Sequence, residues 1–261
     1  MIAFAAQISV SSRRLALSMS LLGVFGPAQA DTVLVAVAAN FAGAADEIAQ
    51  GFARSTGHEA LITTGATGKL YAQIVEGAPF DLLLSADAAT PARLEAEGLA
   101  VPGSSFTYAI GKLTLWSADS GRIGPDPKPT LSDPSLRFLA IANPDLAPYG
   151  LAAQQVLEGL GVWSTVKNRI VMGQNIGQTF GLVQSGAAEM GFVARSALDA
   201  PGADFGGSRW DVPEALFTPL DQDMVLLKAG ADNPAAAAFI AYLAGPEARA
   251  TVVSFGYGVP E

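Results

Sequence analysis

An α/β fold is predicted by three features of the chain. Short apolar, β-branched runs alternate with segments whose apolar residues recur at helical spacing; Gly- and Pro-bearing turns separate them; no Ser-rich linker, internal repeat or heptad breaks the alternation. Half of the 261 residues are hydrophobic (50%). Such a chain can bury one large core or two smaller ones.

The elements follow in order. Val33, Leu34, Val35 and Val37 have the length and branching of a parallel strand, and Phe41, Ala45, Ile48 and Phe52 continue as an amphipathic helix. Asn40, at the junction, is placed as the N-cap of that helix. EALITTGATGKLYAQIVEG reads as a strand through Ile62 and Thr63, a glycine turn, and a helix with Leu70 and Ile74 inward. FDLLLSAD is a third buried strand. Further strands are expected at 112–117, 138–142, 170–172, 188–193 and 223–228, and helices at 150–160, 178–185 and 234–243. The proline-rich segment 119–134 is expected to connect elements without forming one.

Residues 1–30 carry Arg13 and Arg14, then the apolar stretch LALSMSLLGVFG, then the small-x-small site Ala28-Gln29-Ala30. This pattern predicts an export signal cleaved before Asp31, and hence a soluble protein of the bacterial periplasm. The apolar stretch is too short for a permanent anchor. With no cysteine in the chain, a lipid-modified amino terminus, disulfides and thiol chemistry are all excluded.

The formal charge is -9, and cleavage would remove two arginines and no acid. An acidic chain without a basic stripe argues against nucleic acid as a partner. If it binds an anion, it must do so with local dipoles and hydrogen bonds, because its net field repels the ligand. His58 is the one histidine. It sits in a polar turn, and a Ser-His-Asp triad or histidine metal site would have to use it. No HExxH or GxSxG motif is present, and TTGATGKL has the wrong spacing for a phosphate loop. Asp81 and Asp87 flank a strand with nothing else to mark an acid/base pair.

Four strand-to-helix junctions stand out: Asn40, Thr67-Gly68, Pro148-Tyr149-Gly150 and Asn175-Ile176-Gly177. Each offers hydrogen-bonding groups without a formal charge, because the first N–H groups of a helix lack internal partners and carry the positive end of its dipole. Taken singly, Asn40 and Thr67 read as caps, Tyr149 as a packing aromatic and Ile176 as core filling. Their recurrence suggests one shared anion site.

The segments VAVAANFAGAADEIAQGF, TGATGKLYAQIVEGAPFDLLLSAD, IANPDLAPYGLAAQQVLEGLGVW, GLVQSGAAEMGFVARSAL and FIAYLAGPEARATVVSFGYG resemble the periplasmic molybdate-binding proteins of ABC import systems, within the bacterial solute-binding proteins. They span essentially the whole chain after residue 30. EGAPFDLLLSAD and the Asn-Pro-x-x-Ala-Pro-Tyr-Gly turn are the more specific pieces.

The resemblance implies two open α/β lobes joined by a hinge, with the ligand in the cleft at the strand carboxyl ends. By the family pattern, lobe 1 comprises 31–110 plus 229–261, and lobe 2 comprises 111–228. Carried over, the oxyanion contacts fall at Ala39 and Asn40, at Thr67, at Tyr149, and at Ile176 through its N–H. Molybdenum or tungsten would be held as the oxyanion through these residues, with no direct metal ligand and no cofactor. The implied partners are molybdate or tungstate and an ABC permease, with a monomer as the default. The chain departs from the family at Asn40, where many relatives carry Ser, and at Ala194, where one branch carries the Tyr supplied here at 149. Lys69 could add charge to the cleft, although a Lys there is ordinarily solvated.

Other readings stand beside this one. A sulfate or phosphate binder would use the same architecture, and so would an enzyme or sensor, since a fold does not fix a function. A ferric carrier would need clustered tyrosines and carboxylates, and the five tyrosines here are scattered.

Overall fold

The structure is a computed structural model, and it describes residues 1–2 and 30–260. The expected export signal lies almost wholly outside the described residues. No helix among those described is long and apolar enough to cross a membrane.

The chain first builds β1 (Thr32–Ala38), α1 (Ala42–Thr56), β2 (Glu59–Gly65), α2 (Thr67–Val75), β3 (Leu82–Leu84), α3 (Ala89–Ala96) and β4 (Phe106–Gly111). It then crosses to β5 (Leu113–Ser117), α4 (Lys128–Ser132), β6 (Leu139–Ala142), α5 (Pro148–Gly159), α6 (Trp163–Val166), β7 (Ile170–Gly173), α7 (Ile176–Gln184), β8 (Met190–Ala194), α8 (Arg195–Asp199) and β9 (Ser208–Asp211). It returns through β10 (Leu220–Leu226), α9 (Pro234–Leu243) and α10 (Pro246–Ser254). Two five-stranded sheets result, ordered β2-β1-β3-β10-β4 and β7-β6-β8-β5-β9.

The sheets share one plan. In each, three neighbouring strands run parallel, the fourth is antiparallel to them, and the fifth, antiparallel to the fourth, runs at the edge in the direction of the first three. The fourth strand of each sheet, β10 or β5, follows directly on a crossing from the other lobe. The crossings lie at Lys112 and at 212–219.

This corrects the expected lobe boundary at 228/229. Leu82, Leu83 and Leu84 of β3 pair with Leu226, Val225 and Met224, so β10 is an inner strand of the first sheet. The second return therefore precedes Leu220. An apolar run such as MVLL shows that a strand is buried, not which of two sheets buries it. Segment 119–134 also forms the short helix α4, whose second residue is Pro129, where a missing N–H costs nothing. Strands β4 and β9 were not expected, and β9 is a four-residue polar edge strand.

Local chemistry explains the framework. Helix α1 buries Ala44, Ala45, Ile48 and Phe52 along one face, and Gly57 ends it at φ 77 with its N–H on the Ala53 carbonyl. Only glycine takes that left-handed position without strain. Beneath the helix start, Phe41 is fully buried and meets the ring edges of Tyr108 and Tyr257 at 4.7 and 5.2 Å. Burying such a ring contributes about 1.5–3 kcal/mol. The core on one face of the second sheet includes Ala38, Ala66 and Ala86 of the first lobe, so the two lobes are closed on each other.

Candidate functional site

Every parallel strand ends at the cleft, and the four junctions come together there. Ala39, Asn40 and Thr67 from the first lobe face Tyr149 and Ile176 from the second across a cavity of about 10 Å³. Pockets for organic ligands run to roughly 300–1,000 Å³. The lining, completed by Ala38, Gly65, Ala66, Ala86, Ala147, Pro148 and Asn175, contains no charged residue.

Each contributor is held by its element. Ala39 and Asn40 open a 3-10 turn that runs into α1. Asn40 is not the N-cap expected of it: the cap position is Ala38, and no side chain caps the turn. The Asn40 amide nitrogen instead donates to Gln222 Oε1 at 2.8 Å and to the Tyr257 hydroxyl at 3.1 Å. Both of its protons are thus engaged, which leaves the backbone N–H as the remaining donor of Asn40. The Asn40 carbonyl accepts from Tyr257 at 2.6 Å and from Ser196 of the second lobe at 3.2 Å.

Thr67 is the first residue of α2 and 2% exposed. Its oxygen accepts from the Ala86 N–H at 3.2 Å, so its own proton remains to donate. The next N–H, of Gly68, donates across the cleft to the Leu146 carbonyl at 2.9 Å. Lys69 is exposed and does not line the cavity.

In the second lobe, Pro148 occupies the first position of α5, and Gly150 lets that helix start lie against the end of β6. A Cβ at Gly150 would stand 2.7 Å from the Ala142 carbonyl carbon. Tyr149 is 1% exposed, and its oxygen accepts from Gln222 Nε2 at 3.1 Å. Ile176 opens α7, capped by Asn175, whose side chain accepts the Gln178 N–H at 2.9 Å. The Ile176 N–H is one of the unpaired first amides of that helix. Ala194, buried at the end of β8, offers no hydroxyl.

Burial pushes the phenols of Tyr108, Tyr149 and Tyr257 above the usual tyrosine range, so all three stay protonated at neutral pH. The site is therefore an array of neutral donors. It has no nucleophile poised by a base, and no group of three or more metal-ligating side chains occurs among the described residues. His58 lies away from the cleft, accepting the Asp31 N–H and stacking on Phe52. Asp81 accepts the Leu34 N–H at 2.6 Å, and Asp87 accepts that of Thr90 at 2.8 Å, so both carboxylates hold backbone.

Gln222, Tyr257 and Tyr108 escaped the sequence reading. The signal for Gln222 was available: Leu220, Gln222 and Met224 alternate onto one buried face, and a polar residue on such a face needs partners. A larger groove of about 370 Å³ adjoins the small cavity and shares Thr67, Ala147 and Pro148 with it. Its one cation, Arg93, is engaged by Glu97 and lies over the Tyr71 ring. Convergent donors belong to the smaller cavity.

Comparison with known proteins agrees with this fold. Residues 33–258 match the family described as bacterial extracellular solute-binding protein. The chain is 48% identical to the molybdate-binding protein ModA of Azotobacter vinelandii over 89% of its length and 92% of that protein's. It is 45% identical to the molybdate-binding protein ModA of Rhodobacter capsulatus, over 90% and 92% respectively. The solved structure of the Azotobacter vinelandii periplasmic molybdate-binding protein superposes with a TM-score of 0.84 at 41% identity, covering 88% of this chain and all of that one (100%). These relatives are named as binding proteins, not enzymes.

Proposed function

We propose a function from one premise: this chain belongs to the bacterial extracellular solute-binding protein family, alongside its molybdate-binding members. Its cleft closes over one molybdate dianion and delivers it to the membrane permease of an ABC importer. The protein works in the periplasm, as a monomer that presents one face of each lobe to the permease. Tungstate, with the same charge and shape, is bound by the same groups.

The observation that carries this reading is the convergence of four uncharged junctions from two lobes on one small cavity. The backbone N–H groups of Ala39, Asn40 and Ile176 and the hydroxyls of Thr67 and Tyr149 are the donors. A hydrogen bond to a charged group contributes about 1.5–3 kcal/mol, so these five reach roughly 7.5–15 kcal/mol before association costs of about 4–15. Micromolar binding needs about 8 kcal/mol net, which bonds at the strong end of that range supply when the association cost is at its low end.

A thermal-shift panel with molybdate, tungstate, sulfate and phosphate tests the assignment, since a ligand of the folded state alone raises its melting temperature. Molybdate and tungstate should raise it by several degrees at millimolar concentration. No shift with either would sink the proposal, and an equal shift with sulfate would keep the fold and change the substrate.

A further inference from the structure

Gln222 is fully buried (0% exposed) on β10 and joins Asn40 of its own lobe to Tyr149 of the other. We propose that Gln222 is a specificity-determining positioning residue, which fixes the direction of the Tyr149 hydroxyl so that it meets a bound anion only as a donor. This rests on the oxyanion reading of the cavity.

The direction of each bond follows from a group that can only accept. The Asn40 carbonyl has no proton, so Tyr257 donates to it, at 2.6 Å. A phenol carries one proton, so the Tyr257 oxygen must accept at its other contact, Asn40 Nδ2 at 3.1 Å. That turns Nδ2 of Asn40 toward Gln222, where it donates to Oε1 at 2.8 Å, and the same Oε1 faces the Tyr108 hydroxyl at 3.2 Å, whose single proton is shared with the Ser85 carbonyl at 2.9 Å. The opposite end of the Gln222 amide, Nε2, then donates to the Tyr149 oxygen at 3.1 Å. The acceptor side of Tyr149 is occupied, and its proton has no acceptor among the described residues. It is left for whatever fills the cavity that Tyr149 lines.

Specificity follows from this polarity. A fully deprotonated tetrahedral dianion presents only acceptors and matches a site of donors. Hydrogen phosphate carries one P–OH, whose proton needs an acceptor, and burying it unpaired is costly. With Gln222 holding the lone-pair side of Tyr149, the hydroxyl cannot turn to receive that proton. The Ala86 N–H takes one of the two lone pairs of the Thr67 hydroxyl. Backbone position thus enforces what no charged residue does.

The test is calorimetric titration with sodium molybdate and with inorganic phosphate, at a mildly alkaline pH where both are dianions. The proteins are wild type, Q222E, Q222M, Y149F and the double variant Q222M/Y149F. A carboxylate at 222 accepts from Tyr149 and turns its lone pair toward the cavity. Q222E should therefore lower the molybdate-to-phosphate affinity ratio at least tenfold, whereas its added charge repels both ions alike. Y149F should weaken molybdate binding roughly 10- to 100-fold. Q222M should cost several-fold in the wild-type background and less than twofold in the Y149F background, because its effect passes through the phenol. Equal losses in both backgrounds, or an unchanged anion ratio in Q222E, would overturn the proposal. If Q222E does not fold, the Q222M cycle decides alone. Failure of the wild type to bind molybdate would instead overturn the oxyanion reading itself.

Discussion

At position 111 a hydrogen atom in place of a methyl group keeps the site intact. A Cβ on Gly111 would stand 2.5 Å from Gln222 Nε2, and closer still to the Tyr149 hydroxyl. Gly111→Ala should therefore destabilise the fold by about 1–3 kcal/mol through overpacking and weaken molybdate binding more than tenfold. Urea melts and calorimetry read the two effects separately, and normal affinity would show that the hydroxyl need not sit where it does. Nothing in FTYAIGK marks this glycine, because its crowding comes from residues about 40 and 110 positions away along the chain. Tyr149 is the contrary case. The Asn-Pro-x-x-Ala-Pro-Tyr-Gly turn placed it at a helix start, and the structure puts it there, buried.

Helix caps make the same point among the elements. Asn175 caps α7 at the cleft and Asn233 caps α9 away from it, each through a side-chain bond of 2.9 Å. Replacing either by Ala should cost about 0.5–2 kcal/mol of stability. Only Asn175→Ala should also weaken molybdate binding, because the cap sets the aim of the Ile176 N–H. Paired thermal melts and titrations test this, and a loss of affinity in Asn233→Ala would remove the distinction. The starts of α5, α7 and α9, expected at 150, 178 and 234, lie at Pro148, Ile176 and Pro234. The polar edge strand β9 was not legible, since its four residues make too short a pattern.

For the molecule as a whole, closure and proton balance are the measurable properties. The lobes are clasped by Gly68 on the Leu146 carbonyl and Ser196 on that of Asn40. A Cβ at Gly68 would lie 3.2 Å from the Leu146 oxygen, so Gly68→Ala should favour the open form. The expected result is several-fold faster anion release in stopped-flow measurements, and an unchanged rate would show that this contact does not limit opening. The buried phenols set the pH behaviour. Below about pH 10 folded and unfolded chains both keep the phenol protons, whereas above it the unfolded chain loses protons that Tyr108, Tyr149 and Tyr257 retain in the fold. Stability should hold up to that point and fall as pH rises beyond it. Urea midpoints that climb in alkali would contradict this. Anion affinity should stay flat from about pH 7 to 9, since no ionisable group that lines the cavity titrates there.

The sequence by itself determined the α/β class, most of the strand and helix sequence, and the four junctions, because periodicity, caps and turn residues act within about ten positions. It also pointed to neutral groups as the contacts of any bound anion, through four uncharged junctions in an acidic chain, with the place of Lys69 left to the structure. Only the tertiary structure decided which sheet takes β10, that Asn40 spends its amide on Gln222 and Tyr257, and that Gln222 spans the lobes. Those outcomes depend on contacts between residues more than 70 positions apart in the chain. Local pattern carries no information about partners that distant.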